Sequence, residues 1–162
     1  MIQATEEQTV FVTRYHDKYD PDIIRLCDAF SKESLAEYGL EVTNDRLSQM
    51  ISVCKEISFF LLVPDPVISG EHKVVGLIAG MAVNNLTNNK AALQEVIWYV
   101  DKEYRKNGRI LLQYFEEAAK AIGCSQIVMA LMCNSGADKL GRFYERNGYK
   151  PFEVQYMKEI EP

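Results

Sequence analysis

Residues 95–122, EVIWYVDKEYRKNGRILLQYFEEAAKAI, switch hydrophobic period within a few positions, and that switch limits what the chain can fold into. Val96-Ile97-Trp98-Tyr99-Val100 is an unbroken β-branched and aromatic run, the pattern of a buried strand. A polar turn over 101–107 follows, carrying Arg105 and Lys106 and ending at Gly108. Beyond the glycine, Leu111, Phe115, Ala118 and Ile122 recur at i, i+4, i+7 and i+11, one face of a 3.6-residue helix. Gln113, Glu116, Glu117 and Lys120 are left for solvent.

The first backbone N–H groups of a helix have no internal partner, and the macrodipole places partial positive charge beside them. A phosphate accepts those donors, and a glycine lets it come close to the backbone. Asn107, Gly108, Arg109, Ile110 and Leu111 are therefore a candidate anion site, with Arg105, Lys106 or Arg109 adding charge. The plain alternative is an ordinary strand-to-helix connection with solvated basic residues, and one glycine does not decide between them.

In chain order, residues 8–14 (QTVFVTR) alternate as a first strand. Asp20-Pro21 opens a helix through Ile23, Ile24, Cys27 and Phe30, continuing with a break toward Tyr38 and closed by Gly39. Thr43 is an N-cap for a second helix whose apolar face is Leu47, Met50, Ile51 and Cys54. Residues 58–63 (SFFLLV) are a buried strand ended by Pro64-Asp65-Pro66. Residues 73–83 (KVVGLIAGMAV) are another, with Gly76 and Gly80 as positions for a bulge or a close backbone approach. The polar run 84–90 turns that strand into a long hairpin with the one that begins near Ala92. Gly123 closes the central helix, and 126–132 (QIVMALM) give a strand parallel to the one before it. Asn134-Ser135-Gly136 introduces a short helix over 137–147, ended by Gly148, and the tail 149–160 reads as one or two final strands.

An apolar fraction of 48% and a charged fraction of 25% are those of an ordinary globular protein. The 162 residues are most simply one domain, 1–162, with no repeat or linker to split them. No apolar run approaches the roughly 18 residues of a membrane span. The first ten residues lack the basic and apolar regions of a signal peptide, so the expectation is a cytoplasmic protein. A net charge of −5 argues against nucleic-acid binding, which needs a basic face. Cys27, Cys54, Cys124 and Cys133 have no paired spacing, and His16 and His72 lie in loops, so neither a disulfide framework nor a metal site is expected.

The stretch Arg105…Gly108…Ile110 resembles the central motif of the GNAT acyltransferases, in which Arg or Gln, then Gly, then Gly or Ala mark the turn before a helix. Two of the three positions match, and Ile110 stands where the family has a small residue. The element order β, α, α, β, β, β, α, β, α, β is that family's order, and Phe143 to Tyr149, FYERNGY, is similar to its closing motif. More loosely, WYV…YR with the late GYK resembles small acyltransferases of tailed phages.

The resemblance implies an α/β (α+β) GNAT fold, a mixed twisted sheet of six to seven strands flanked by about four helices. It implies an N-acetyltransferase that uses acetyl-CoA as co-substrate, without a metal, on a primary amine of a small molecule or a protein. The turn at 107–111 would take the pyrophosphate, and the strand edge at Tyr99 and Val100 would bond the pantetheine amides as a pseudo-strand. Glu95 stands where some members carry the general base, and simple alternation puts it on one strand face with Ile97 and Tyr99. Tyr144 occupies the place of the tyrosine that protonates the leaving thiolate. Asn134 lies further from that tyrosine than the family's Asn, whose position Ala137 takes; it is a helix cap or a pantetheine contact. Ile110 is the feature that favours a second reading, a non-catalytic GNAT-fold module that binds or scaffolds. Nothing in the sequence names the amine or fixes the oligomeric state, and a homodimer stays open.

Overall fold

The three apolar runs and the hairpin between them form the centre of the structure, a computed structural model that describes residues 9–40, 42–134 and 136–161. Strands β1 (Phe11–Arg14), β2 (Ile57–Pro64), β3 (His72–Asn85), β4 (Lys90–Val100) and β5 (Gln126–Val128) make one sheet in the order β1-β2-β3-β4-β5. The first three pairings are antiparallel, and β4 with β5 is parallel. The parallel step follows from the intervening helix α3 (Gly108–Ala121), because a strand can return in the same direction only through a crossover.

Helices α1 (Asp20–Phe30) and α2 (Asn44–Glu56) cover one face of the sheet. Ile23, Leu26, Cys27, Met50 and Cys54 there pack with Phe60, Leu62, Val74, Leu77, Ala79, Ile97 and Tyr99. Thr43 caps α2 as its sequence position implies, its Oγ1 accepting from the Arg46 N–H at 3.3 Å. The break after α1 is a π turn over Ser31–Leu35 and a 3-10 turn over Ala36–Tyr38, closed by Gly39 at φ 68°. On the other face α3 buries Leu111, Leu112, Phe115, Ala118 and Ala119. Ile122, expected on that face, is 49% exposed, because α3 ends at Ala121 before its stripe comes round again.

The chain divides into two compact units, Met1–Ala130 and Leu131–Pro162. The second contains α4 (Ala137–Arg146), whose Tyr144 is buried beside Phe143 and Tyr149. Gln8, expected to open β1, and Ser135, expected to lead into α4, lie outside the described residues.

Two expectations of strand content are corrected. β5 stops at Val128 rather than Met132, and 149–161 form no strand among the described residues, so the sheet has five strands and not six or seven. Alternation is necessary for a strand, but a strand exists only where a neighbour takes its N–H and C=O groups. The tail alternates, yet Phe152, Val154 and Tyr156 are all exposed.

Gly80 supplies the irregularity that its type suggests. Ala79 pairs with Ile97 but Gly80 pairs with Glu95, so Val96 is an extra residue, a β-bulge in β4. A Cβ built on Gly80 would fall 2.4 Å from the Gln94 carbonyl oxygen and 2.5 Å from the Phe115 ring. The ring can shift, but the carbonyl belongs to the bulged backbone. Gly80→Ala is therefore expected to cost about 1–3 kcal/mol of stability. Gly76→Ala, whose closest contact is the Val100 methyl at 3.0 Å, should cost less. Urea unfolding of both variants checks the order, and equal losses would remove the close approach at Gly80 as a constraint.

Candidate active site

The bulge decides where the β4 side chains point. Opposite residues of an antiparallel pair share a face, and a Cβ on Gly80 would point at Phe115 of α3. Glu95, opposite Gly80, thus faces the α3 side, while Ile97 and Tyr99 lie in the core under α1 and α2. The common face expected for Glu95, Ile97 and Tyr99 is corrected, because the inserted Val96 shifts the alternation by one.

Glu95 also marks the point where two parallel strands part. The β4–β5 ladder pairs Ala92 with Gln126, Leu93 with Ile127 and Gln94 with Val128, and goes no further. At the next position the Glu95 side chain replaces the backbone, its Oε2 accepting the Ala130 N–H at 3.0 Å. The residue is only 9% exposed. Burial pushes its carboxyl up to about 7, against the lowering effect of the Ala130 N–H. A carboxyl poised there at neutral pH can both lose and take a proton.

The turn after β4 is more ordered than a loop. Residues Lys102–Asn107 form a 3-10 helix that runs straight into α3, and the Gly108 N–H donates to the Arg105 carbonyl. The number of free amides at this helix start is therefore smaller than an isolated helix would offer. Lys106 and Arg109 are exposed and form no salt bridge among the described residues. Ile110 is half-buried and Leu111 fully buried.

Gly108 is not required by the chain. It has φ −58° and ψ −31°, ordinary helical values, and an added Cβ would meet Val100 and Trp98 at 3.5 and 3.6 Å, normal contact distances. Beside it Asn107 Oδ1 is buried with no hydrogen-bond partner among the described residues. A half-turn of that amide presents a donor in place of the acceptor, so the position suits either an amide or a phosphate oxygen. The start of α3 thus holds one orphaned buried polar atom, on Asn107, beside a glycine that the fold itself does not need.

Arg105 is engaged by groups of the chain itself. Its Nη2 donates to Glu33 Oε2 at 2.6 Å, its Nε donates to the Val100 carbonyl at 3.1 Å, and its guanidinium lies 5.7 Å from the Tyr99 ring centre. The Tyr99 hydroxyl donates to the same Glu33 oxygen at 3.3 Å. The Arg105 guanidinium holds the Glu33 carboxyl below its ordinary range. Glu33 was missed by sequence reasoning. It sits in the polar run SKESL, and no periodicity signals that a π turn aims it at β4.

Tyr144 and Asn134 belong to the second unit. Tyr144 is buried there, and Asn134 Oδ1 accepts the Gly136 N–H at 3.0 Å, which orders the approach to α4. Glu95, Tyr99, Val100, Arg105 and 106–111 are held together in the first unit. A cleft of about 580 Å³ at the β1 edge, lined by Arg14, Phe59, Tyr114 and Glu117, contains none of these residues. Among the described residues no group of His, Cys, Asp or Glu is placed to hold a metal, and no helix is long and apolar enough to cross a membrane.

The position of Glu95 has a stability consequence. With a native pKa near 7 against an ordinary 4.5, the folded state binds more protons than the unfolded chain between those values, so stability falls as pH rises through them. Glutamine keeps the acceptor for Ala130 without the charge. Glu95→Gln should match the parent near pH 4.5 and exceed it by roughly 3 kcal/mol above pH 7, at about 1.4 kcal/mol per unit. Chemical unfolding at a series of pH values tests this, and parallel profiles would count against a buried, raised carboxyl.

The family model described as "Acetyltransferase (GNAT) family" matches residues 23–149. No curated protein matches the sequence significantly. Among solved structures, an acetyltransferase of Trypanosoma brucei is similar at TM-score 0.66 and 16% identity, over 94% of this chain and 100% of that one. An aminoglycoside acetyltransferase from an uncultured soil metagenomic sample gives 0.66 and 13%, over 94% and 97%. The ribosomal-protein-alanine N-acetyltransferase of Brucella melitensis gives 0.65 and 13%, over 94% and 100%. At these identities the structures speak for the fold, and with the family match over most of its length the chain belongs to the GNAT acetyltransferase family.

Proposed function

We propose that the protein is an N-acetyltransferase that moves acetyl from acetyl-CoA directly to a primary amine. The observation that carries this reading is the parting of β4 from the chain after β5, with the Glu95 carboxyl held in the gap by Ala130. Acetyl-CoA supplies the acetyl group as an activated thioester. Lys106, Asn107, Gly108 and Arg109 would hold its phosphates at the start of α3, and the β4 end at Tyr99 and Val100 would receive its amides.

An ammonium has no lone pair, so the attacking nitrogen must first be neutral. Before attack Glu95 takes the ammonium proton, directly or through a water. As the C–N bond forms and the C–S bond breaks, the nitrogen releases a second proton, which replaces through water the one the sulfur takes up. Tyr144 donates a proton to the departing sulfur. The raised pKa of Glu95 suits this role, since a base near 7 is both partly ionised and strong enough to accept.

A second reading is a GNAT-fold module that binds without catalysis. The observations that favour it are Ile110 at the small-residue position, Arg105 already engaged by Glu33, and the Gly108 N–H already bonded to Arg105. The two readings separate in solution. Acetyl-CoA binding to the native state raises apparent stability by about 2.7 kcal/mol at a hundredfold excess over Kd, and an enzyme also releases thiol with a panel of amines. Binding without thiol release would favour the module.

Gly108→Ala tests the phosphate position. The added methyl fits the chain, and alanine in a helix start is worth about 0.5–1 kcal/mol more than glycine. The variant should be slightly more stable yet bind acetyl-CoA at least several-fold more weakly by calorimetry. Unchanged affinity would move the phosphates elsewhere.

Tyr144→Phe tests the proton donor. A lost general acid costs about 10²–10⁴-fold. The loss should fall on kcat in single-turnover transfer, with the KM for acetyl-CoA little changed. Parity within twofold would leave Tyr144 as packing only.

A further inference from the structure

The most telling group outside the proposed catalytic residues is the one around Glu33. Two segments far apart in sequence bring Glu33 together with Tyr99 and Arg105, and the partners are a carboxylate, an aromatic face and a cation. The carboxylate is 31% exposed and the guanidinium 44%, so the contact opens to solvent. Phe30 stands edge-on to Tyr99, with ring centres 6.3 Å apart, and packs that ring against the core. Carboxylate plus aromatic face is the chemistry that recognises an organic cation. Arg105 fills that place with a cation from the chain itself.

We propose that Glu33 and Tyr99 form a recognition site for a cationic group of the acceptor, and that Arg105 occupies it as an internal substitute until phosphate draws the arginine away. This rests on the acetyl-CoA reading above. Arg105 stands three residues before Gly108, at the edge of the anion site, and a multiply charged phosphate competes with a single carboxylate for its fork of donors. Once Arg105 turns, the Glu33 carboxylate and the Tyr99 face are left for another cation. The two ligands then assist each other, and linkage makes the assistance equal in both directions.

The site also limits the substrate class. A nitrogen held between a carboxylate and an aromatic face is kept protonated, and a protonated nitrogen cannot attack a thioester. The nitrogen that receives the acetyl group is a second one. The acceptor is accordingly a molecule that carries, besides the amine to be acetylated, a second cationic group such as another amine.

The test uses 1,4-diaminobutane as the probe in calorimetric titrations of the full chain. Without CoA, Arg105→Gln is expected to bind the diamine at least tenfold more tightly than the parent, and Arg105→Gln with Glu33→Gln should lose that gain. Arg105→Met, which keeps the aliphatic stem, repeats the measurement should glutamine disturb the turn. If neither single variant binds better than its Glu33→Gln double, the cation site is overturned, whatever CoA does. A second titration adds free CoA, which carries the phosphates but has no acetyl to transfer. Tighter diamine binding by the CoA-loaded parent supports the exchange of Arg105 between anions. A gain in the arginine variants with no effect of CoA on the parent supports the cation site and counts against the acetyl-CoA reading.

Discussion

A side chain at Gly80 would collide with the Gln94 carbonyl of the bulged strand, and much of the site geometry depends on that close backbone approach. That proximity leaves room for one extra residue, Val96, opposite Ala79. The bulge places Ile97 and Tyr99 under α1 and α2 and turns Glu95 to the other face. Without it, Glu95 would enter the hydrophobic layer that contains Ile23, Leu26 and Phe60, where an uncompensated carboxylate is costly. One irregular residue therefore keeps β4 a core strand over its last half and makes it carry an ionisable group just before.

The same irregularity separates β4 from its parallel neighbour. A parallel ladder needs continuous register, and a bulge interrupts it. Pairing with β5 ends at Gln94, and one side-chain acceptor then serves Ala130. The raised pKa of Glu95 follows from this balance. A carboxylate that accepted several N–H groups would be driven low, but one bond does not offset nearly complete burial. The proton affinity proposed for the chemistry is thus a consequence of where the strands part.

Much of this was legible in the sequence, for identifiable reasons. β2, β3 and β4 announce themselves as β-branched and aromatic runs, and α2 is bounded by a threonine whose hydroxyl does what its position implies. Gly80 was legible as a position for a bulge, but not which residue of β4 would be the extra one, because either choice leaves the run apolar. The face of Glu95 was therefore misjudged by one residue. The tail was misjudged for a different reason. Its alternation is a local property, whereas a strand needs a partner that no local pattern supplies.

Glu33 shows the limit of motif reading most clearly. The motif singles out Arg105, but its partner lies 72 positions earlier, in a helical segment whose polar residues look uniformly solvent-facing. Only the π turn after α1 swings that carboxylate onto the end of β4, and π turns have no reliable sequence signature. The consequence is physical as well as interpretive. Arg105 has one guanidinium, and its short contact with Glu33 uses a direction of donation that a phosphate would also need. An anion bound at the start of α3 would therefore compete with the carboxylate of the π turn for a single cation.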